Sequence, residues 1–117
     1  MRESLKRTEI IRHRRDVQLV LSTGTAVMSG FLTLRYWQNP AATAARRIAF
    51  LLNSRIQGTV VRNRLKRRLR EIYRRNKTWF PPGYNYLIQV KPGAESQQFE
   101  QLKKDLKLLT EQIKIKW

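Results

Sequence analysis

The stretch Arg47-Ile48-Ala49-Phe50-Leu51-Leu52, followed after a polar turn by Val60-Val61-Arg62-Asn63-Arg64-Leu65-Lys66-Arg67-Arg68-Leu69-Arg70-Glu71-Ile72-Tyr73-Arg74-Arg75, joins an almost continuously apolar run to a segment of helical period. At about 100° per residue, Val61, Leu65, Leu69, Ile72 and Asn76 fall in one stripe, while Asn63, Arg67, Arg70 and Arg74 collect on the opposite side. Lys66 widens the cationic side on one flank, and Arg64, Arg68 and Arg75 lie on the other. The spacing therefore predicts a helix over residues 60–76 with a buried ridge and a cationic ridge. Glu71, four residues after Arg67, is expected to hold that guanidinium in place. The run before the helix suits a central strand covered on both faces.

Toward the N-terminus, residues 31–37 alternate, with Leu32, Leu34 and Tyr36 on one side and Phe31, Thr33, Arg35 and Trp37 on the other. That pattern predicts a strand with one core face and one partly wet face. Asn39-Pro40 breaks it, and Ala41 to Ala45 read as a loop. A further short strand around Thr25 to Met28 is left open by the pattern. Asp16 is expected to cap a helix over residues 16–22, with Gly24 as its left-handed stop. Residues 1–15 form a basic arm in which Leu5, Ile10 and Ile11 are the substantial apolar groups. Toward the C-terminus, Trp79-Phe80-Pro81-Pro82-Gly83 ends the arginine-rich helix. A strand follows over Tyr84-Asn85-Tyr86-Leu87-Ile88-Gln89-Val90, stopped by Lys91-Pro92-Gly93. Ser96 is placed to cap a last helix whose Phe99, Leu102, Leu106, Leu109 and Ile113 recur at three and four. This spacing also fits a coiled-coil seam, but in so short a chain packing on its own sheet is the favoured use.

The 117 residues, 41% of them hydrophobic, suit one domain over 1–117 and exclude a multi-domain enzyme. Lys and Arg number 25 against 8 Asp and Glu, a net charge of +17, so the chain repels itself and seeks a polyanion. The absence of cysteine removes disulfides, thiolate nucleophiles and cysteine zinc sites, and His13 alone cannot build a metal site. No apolar run approaches the length of a membrane span, and the first residues lack a signal-peptide core, so a cytoplasmic location is expected. Anionic lipid is a poor match, since an interfacial helix needs a wide apolar face and the stripe here is wanted by the core. Between residues 62 and 77 nine Lys or Arg accompany one Glu, whereas a merely solvated helix face mixes both signs. The planar fork of arginine bridges phosphate oxygens and stacks on bases. A nucleic acid is thus the expected partner. The eight carboxylates, Glu3, Glu9, Asp16, Glu71, Glu95, Glu100, Asp105 and Glu111, are scattered, which disfavours a self-sufficient metal-dependent nuclease. Charge alone leaves a general RNA-binding protein open. Trp37, Trp79 and Trp117 are assigned to packing rather than to stacking on bases.

The run Arg62-Asn63-Arg64-Leu65-Lys66-Arg67-Arg68-Leu69-Arg70-Glu71, entered through Gly58-Thr59-Val60-Val61, resembles the arginine-asparagine-arginine signature of the bacterial ribonuclease P protein subunit. The likeness extends to the basic arm, Arg14-Arg15-Asp16, Gly24, the strand from Phe31, Tyr86-Leu87-Ile88 and the last amphipathic helix. It implies an α+β fold, an α/β sandwich of order αβββαβα with one mixed sheet packed by helices, a left-handed crossover and kinship with a ribosomal-protein fold. It further implies a protein, inactive alone, that binds a catalytic RNA and precursor tRNA. The RNA, carrying Mg2+, removes the 5′ leader hydrolytically, without membrane attachment and without an obligate protein partner. The catalytic RNA is expected on Arg62, Asn63, Arg64, Lys66, Arg67, Arg68, Arg70 and Arg74. The leader is expected on Val17, Leu21, Phe31, Thr33, Arg35 and Arg55. The chain departs from the family where Asn53-Ser54-Arg55 replaces a serine and two lysines, where Gln57 replaces a glycine, and where Val17 and Leu21 replace aromatics. Base stacking at those two helix positions is thereby lost, and Phe31 with Arg35 is expected to supply part of it.

Overall fold

The computed structural model describes residues 10, 11, 14–38 and 46–113. Their elements run α1 (Arg14–Thr23), β1 (Thr25–Ser29), β2 (Leu32–Gln38), β3 (Arg47–Leu52), α2 (Thr59–Arg75), β4 (Tyr84–Val90) and α3 (Phe99–Glu111), the order αβββαβα. Single turns of 3-10 helix at Lys77–Trp79 and Ala94–Ser96 link α2 to β4 and β4 to α3. The strands form one mixed sheet in the order β1-β2-β4-β3, antiparallel except for β3 with β4. That parallel pair needs a long crossover, which α2 supplies.

Because side chains alternate along a strand, the register decides what each face carries. Leu32, Val90 and Leu52 lie in one row across the sheet, Leu34, Ile88 and Phe50 in the next, and Tyr36, Tyr86 and Ile48 in a third. This face packs on Leu65, Leu69, Ile72 and Tyr73 of α2 and on Leu102, Leu106 and Leu109 of α3, all buried. Tyr73, Phe80 and Tyr86 stack edge to face, with centroids 5.1 and 5.2 Å apart, and tie α2 through the turn to β4. The Tyr86 hydroxyl donates to the Pro81 carbonyl, and burial pushes this phenol well above its ordinary pKa. The other face presents Thr33, Gln89 and Leu51 in one row and Arg35, Leu87 and Ala49 in the next. α1 lies against β2 and β4 there, with Val20 fully buried.

Several expectations change. β3 is an edge strand, and β4 takes the centre, with Asn85 to Ile88 buried in succession. The apolar run in β3 has another cause: Ile10 bridges Ile48 in parallel, and the Ile11 N–H donates to the Ile48 carbonyl at 2.9 Å, so the arm covers this edge. α1 begins at Arg14, inside the segment assigned to the arm. Asp16 is therefore in its first turn rather than at its cap, 3.8 Å from Arg47. Gly24 is not left-handed. Its role is close approach: a Cβ there would stand 2.4 Å from the Val20 carbonyl oxygen and 3.0 Å from that of Tyr36. Ser96 lies in the 3-10 turn, and Gln98 precedes α3. The strand left open at Thr25 forms as β1, and Phe31 falls in the turn between β1 and β2. His13, Trp117, Asn39-Pro40, the Ala41 to Ala45 loop and most of the basic arm lie outside the described residues.

The Gly24 geometry makes a measurable statement. Gly24→Ala is expected to destabilise by about 1–3 kcal/mol, the usual scale for overpacking, because backbone oxygens rather than a flexible side chain must move. Urea unfolding checks this, and a midpoint equal to that of the unchanged chain would show that the α1–β1 joint yields freely.

Candidate nucleic-acid interface

Along α2, Leu65, Leu69 and Ile72 are buried, while Asn63, Arg64, Arg67 and Arg70 are exposed. The helical period thus delivers the division the sequence predicts, with Lys66 and Arg68 half-buried on the flanks. Arg64, Lys66, Arg67 and Arg70 have no ion pair among the described residues. They present uncompensated charge to solvent.

Other basic side chains of the helix are committed within the chain. Arg62 directs its guanidinium back under the β3–α2 turn, donating from Nη1 to the carbonyls of Ile56 at 2.7 Å and Asn53 at 3.0 Å. Its Nη2 stands 3.5 Å from the Leu52 carbonyl. One side chain therefore gathers the end of β3, the turn and the start of α2. Gly58, with φ of +95° just before the helix, permits the sharp entry that brings these carbonyls to Arg62. Glu71 pairs with Arg74 at 2.5 Å and with Arg75 at 2.7 Å, not with Arg67. The orientation explains the choice: an acid four residues before a base is favoured over the reverse order. The hydrogen bond from Arg74, assisted by Arg75, holds the Glu71 carboxyl below the usual carboxylate range against the effect of desolvation. Arg68 reaches across to the Gln97 carbonyl, 3.5 Å away, just before α3.

The residues expected to meet a leader divide. Val17 and Leu21 are half-buried one helical turn apart on α1, beside the fully buried Val20. Arg35 is half-buried on the sheet face, and its Nε donates to Gln89 Oε1 at 2.5 Å. Arg55 is exposed in the turn that Arg62 clamps, with its N–H donating to Asn53 Oδ1 at 2.9 Å. Thr33 is only 6% exposed. Phe31 does not stand on the open face as expected: its ring rests on Gly93 and packs against the core between the sheet and the helices. Gly93 has φ of +105° and no side chain, so the ring occupies the space that a Cβ would need. Two unpredicted residues join Arg35 there. Leu51 is 44% exposed, and Gln89 orients the arginine. Gln89 had a signal in the sequence as one of two polar amides, with Asn85, inside a strand of large apolar and aromatic residues.

The Arg62 clamp and the free Arg67 give opposite expectations for stability. Arg62→Ala is expected to cost about 1–3 kcal/mol through carbonyls left without a donor, whereas Arg67→Ala should stay within about 0.5 kcal/mol. Equal urea midpoints for the two variants would show that the clamp contributes nothing to the fold.

Comparison with known proteins places this geometry. A family model described as Ribonuclease P matches residues 5–114. The ribonuclease P protein component of Petrotoga mobilis is 35% identical over 86 residues, covering 74% of this chain and 71% of that protein. That of Microcystis aeruginosa is 31% identical over 102 residues, covering 85% of each. Among solved structures, the RNase P protein of Thermotoga maritima superposes with a TM-score of 0.79 at 24% identity, over 92% of this chain and 99% of that one. The RNase P protein of Staphylococcus aureus does so with a TM-score of 0.80 at 17% identity, over 88% and 93%. These two share the sandwich and its mixed sheet, and the match over residues 5–114 takes in the arginine-rich helix itself: the chain belongs to the ribonuclease P protein family.

Proposed function

We propose that this protein is the protein subunit of a ribonuclease P. In this reading it docks on the catalytic RNA through the exposed side of α2 and holds the 5′ leader of precursor tRNA on the sheet face beside α1. The observation that carries the proposal is the set of arginines on α2, outward and uncompensated, fixed from behind by buried aliphatic groups. Arg64, Lys66, Arg67 and Arg70 would meet phosphates directly, with Asn63 among them. Arg62, Arg68 and Arg74 sit at the margins, each holding a second partner within the chain. On the other side of the sheet, Arg35, Arg55, Val17 and Leu21 would border the leader, with Thr33 beneath them and Phe31 supporting from the turn.

No three His, Asp or Glu side chains converge on a common point among the described residues. The reading assigns Mg2+ to the RNA. The protein's own side chains bind, orient and neutralise charge. No helix of the described residues is long and apolar enough to cross a membrane.

The test is cleavage of precursor tRNA by the protein alone, by ribonuclease P RNA of the same organism at low Mg2+, and by the mixture. Cleavage stimulated only in the mixture is expected. Cleavage by the protein alone, or an RNA indifferent to the protein, overturns the reading. Arg67→Ala combined with Arg70→Ala should weaken RNA binding and flatten the plot of log K against log salt by about 0.7–0.9 for each lost phosphate contact. An unchanged slope would take both side chains off the interface. Shortening the leader should weaken substrate binding by the mixed complex and not by the RNA alone; equal losses would refute a leader site on the protein.

A further inference from the structure

A second cationic feature lies outside the exposed ridge of α2. Where α2 ends and α3 runs past it, a cavity of about 500 Å3 is lined by Asn76, Trp79, Glu100, Lys103, Lys104 and Lys107. The period of α3 explains the cluster. Leu102, Leu106 and Leu109 point into the core, and at 100° per residue Glu100, Lys103 and Lys107 project from the flank on one side of that stripe. Gln101 and Asp105 occupy the other flank, where the Asp105 carboxylate approaches Gly30. α3 therefore turns Lys103, Lys104 and Lys107 toward α2 together with the single acid Glu100, and Asp105 toward the β1–β2 turn.

Three properties of the cavity point to a ligand class. Lys103, Lys104 and Lys107 have no ion pair among the described residues, although Glu100 lies three and four residues before the first two. Trp79 packs one part of its ring on the core and remains half-exposed at the cavity. Asn76 uses its amide nitrogen on the Ile72 carbonyl at 2.8 Å, leaving its Oδ1 as an acceptor. Ammonium groups for phosphate, an indole face for a base and an acceptor for a base amino group are the parts of a nucleotide site. Position supplies the remaining argument. Arg68 bonds to Gln97, two residues before α3, so the flank of the arginine ridge is joined to the segment that leads into α3, and α3 lines the cavity.

We infer that the cavity between the end of α2 and α3 takes an unpaired nucleotide of the catalytic RNA, stacked on Trp79 with its phosphates on Lys103 and Lys107. This rests on the proposed function and extends that interface from one helix to two. The RNA then meets the protein through two chemistries. The arginines of α2 engage a backbone, and the α3 cavity reads the presence of an unstacked base.

The test measures affinity of the full chain for ribonuclease P RNA across a salt series. Lys103→Ala with Lys107→Ala should weaken binding and flatten the salt slope by about 1.4–1.8, twice the value for a single contact. Lys103→Arg with Lys107→Arg should restore the slope. Trp79→Leu, which keeps an apolar group on the core, should lower affinity by roughly 5- to 150-fold, the effect of losing one stacked base, with the salt slope unchanged. A general loss of positive charge cannot reproduce that second signature. With circular dichroism showing intact folds, wild-type affinity and slope in the lysine pair, or wild-type affinity in Trp79→Leu, overturns the site. If Arg67→Ala with Arg70→Ala weakens binding while these variants do not, the failure belongs to the cavity alone. Absence of salt-dependent binding by the unaltered chain overturns the proposed function and the cavity together.

Discussion

Everything in this structure depends on anchoring a helix that repels itself. Nine basic residues and one acid between residues 62 and 77 place like charges repeatedly at three- and four-residue spacing, each such pair costing about 0.2–0.5 kcal/mol. Burial of Leu65, Leu69 and Ile72 contributes about 1.5–3 kcal/mol apiece, so the apolar stripe outweighs several repulsive pairs. The edge-to-face contacts from Tyr73 through Phe80 to Tyr86 then fasten the helix end to the central strand. The helix keeps its form because of its hidden side, which frees the exposed side to carry uncompensated charge.

Arginines of one helix do different work according to where the helical period points them. Arg62, turned toward the strand end, meets carbonyls and becomes part of the backbone's hydrogen-bonding system. Arg74 and Arg75 share one carboxylate and give the helix terminus a local pairing. Arg64, Arg67 and Arg70 point away from all of these and stay unpaired. The arginine-asparagine-arginine motif therefore includes a structural member. Its first guanidinium sets the angle at which the helix leaves β3, and the next two residues are displayed by that angle.

Much of this was legible from residue order because it rests on periodicity. The stripe in α2, the alternation in β2 and the three-four spacing in α3 each encode which side is hidden, and the structure hides those sides. What was illegible depended on partners distant in sequence. The apolar run in β3 reads as central from its composition, yet the strand is an edge, since the covering arm is supplied by Ile10 and Ile11 from the start of the chain. Glu71 had basic neighbours on both sides at suitable spacing, and the preference for the later ones is an orientational effect that spacing alone does not express. Phe31 alternates correctly with Thr33 and Arg35, but it falls in a turn, where alternation no longer assigns a face, and its ring goes to the space above Gly93. Trp79 packs on the core as tryptophan's habit leads one to expect, but no sequence pattern shows that its ring stays half-exposed beside α3.

The sheet separates two surfaces with different tolerances. On the helical side, charge sits on a regular element whose spacing is fixed by backbone geometry, which on the proposed function suits a rigid, folded RNA. On the other side, Arg35 is oriented by Gln89 on a neighbouring strand, and Val17 and Leu21 are presented by a helix joined to the sheet at Gly24. That side offers a mixed face of aliphatic and basic groups, which on the same proposal suits a flexible strand whose sequence varies. The turn carrying Arg55 lies between the two, clamped by Arg62 from the helical side. On the proposed function, the same guanidinium that orients the RNA-docking helix also places Arg55, one of the basic residues bordering the leader path. A disturbance at Arg62 would then reach both surfaces, although Arg62 need touch neither ligand.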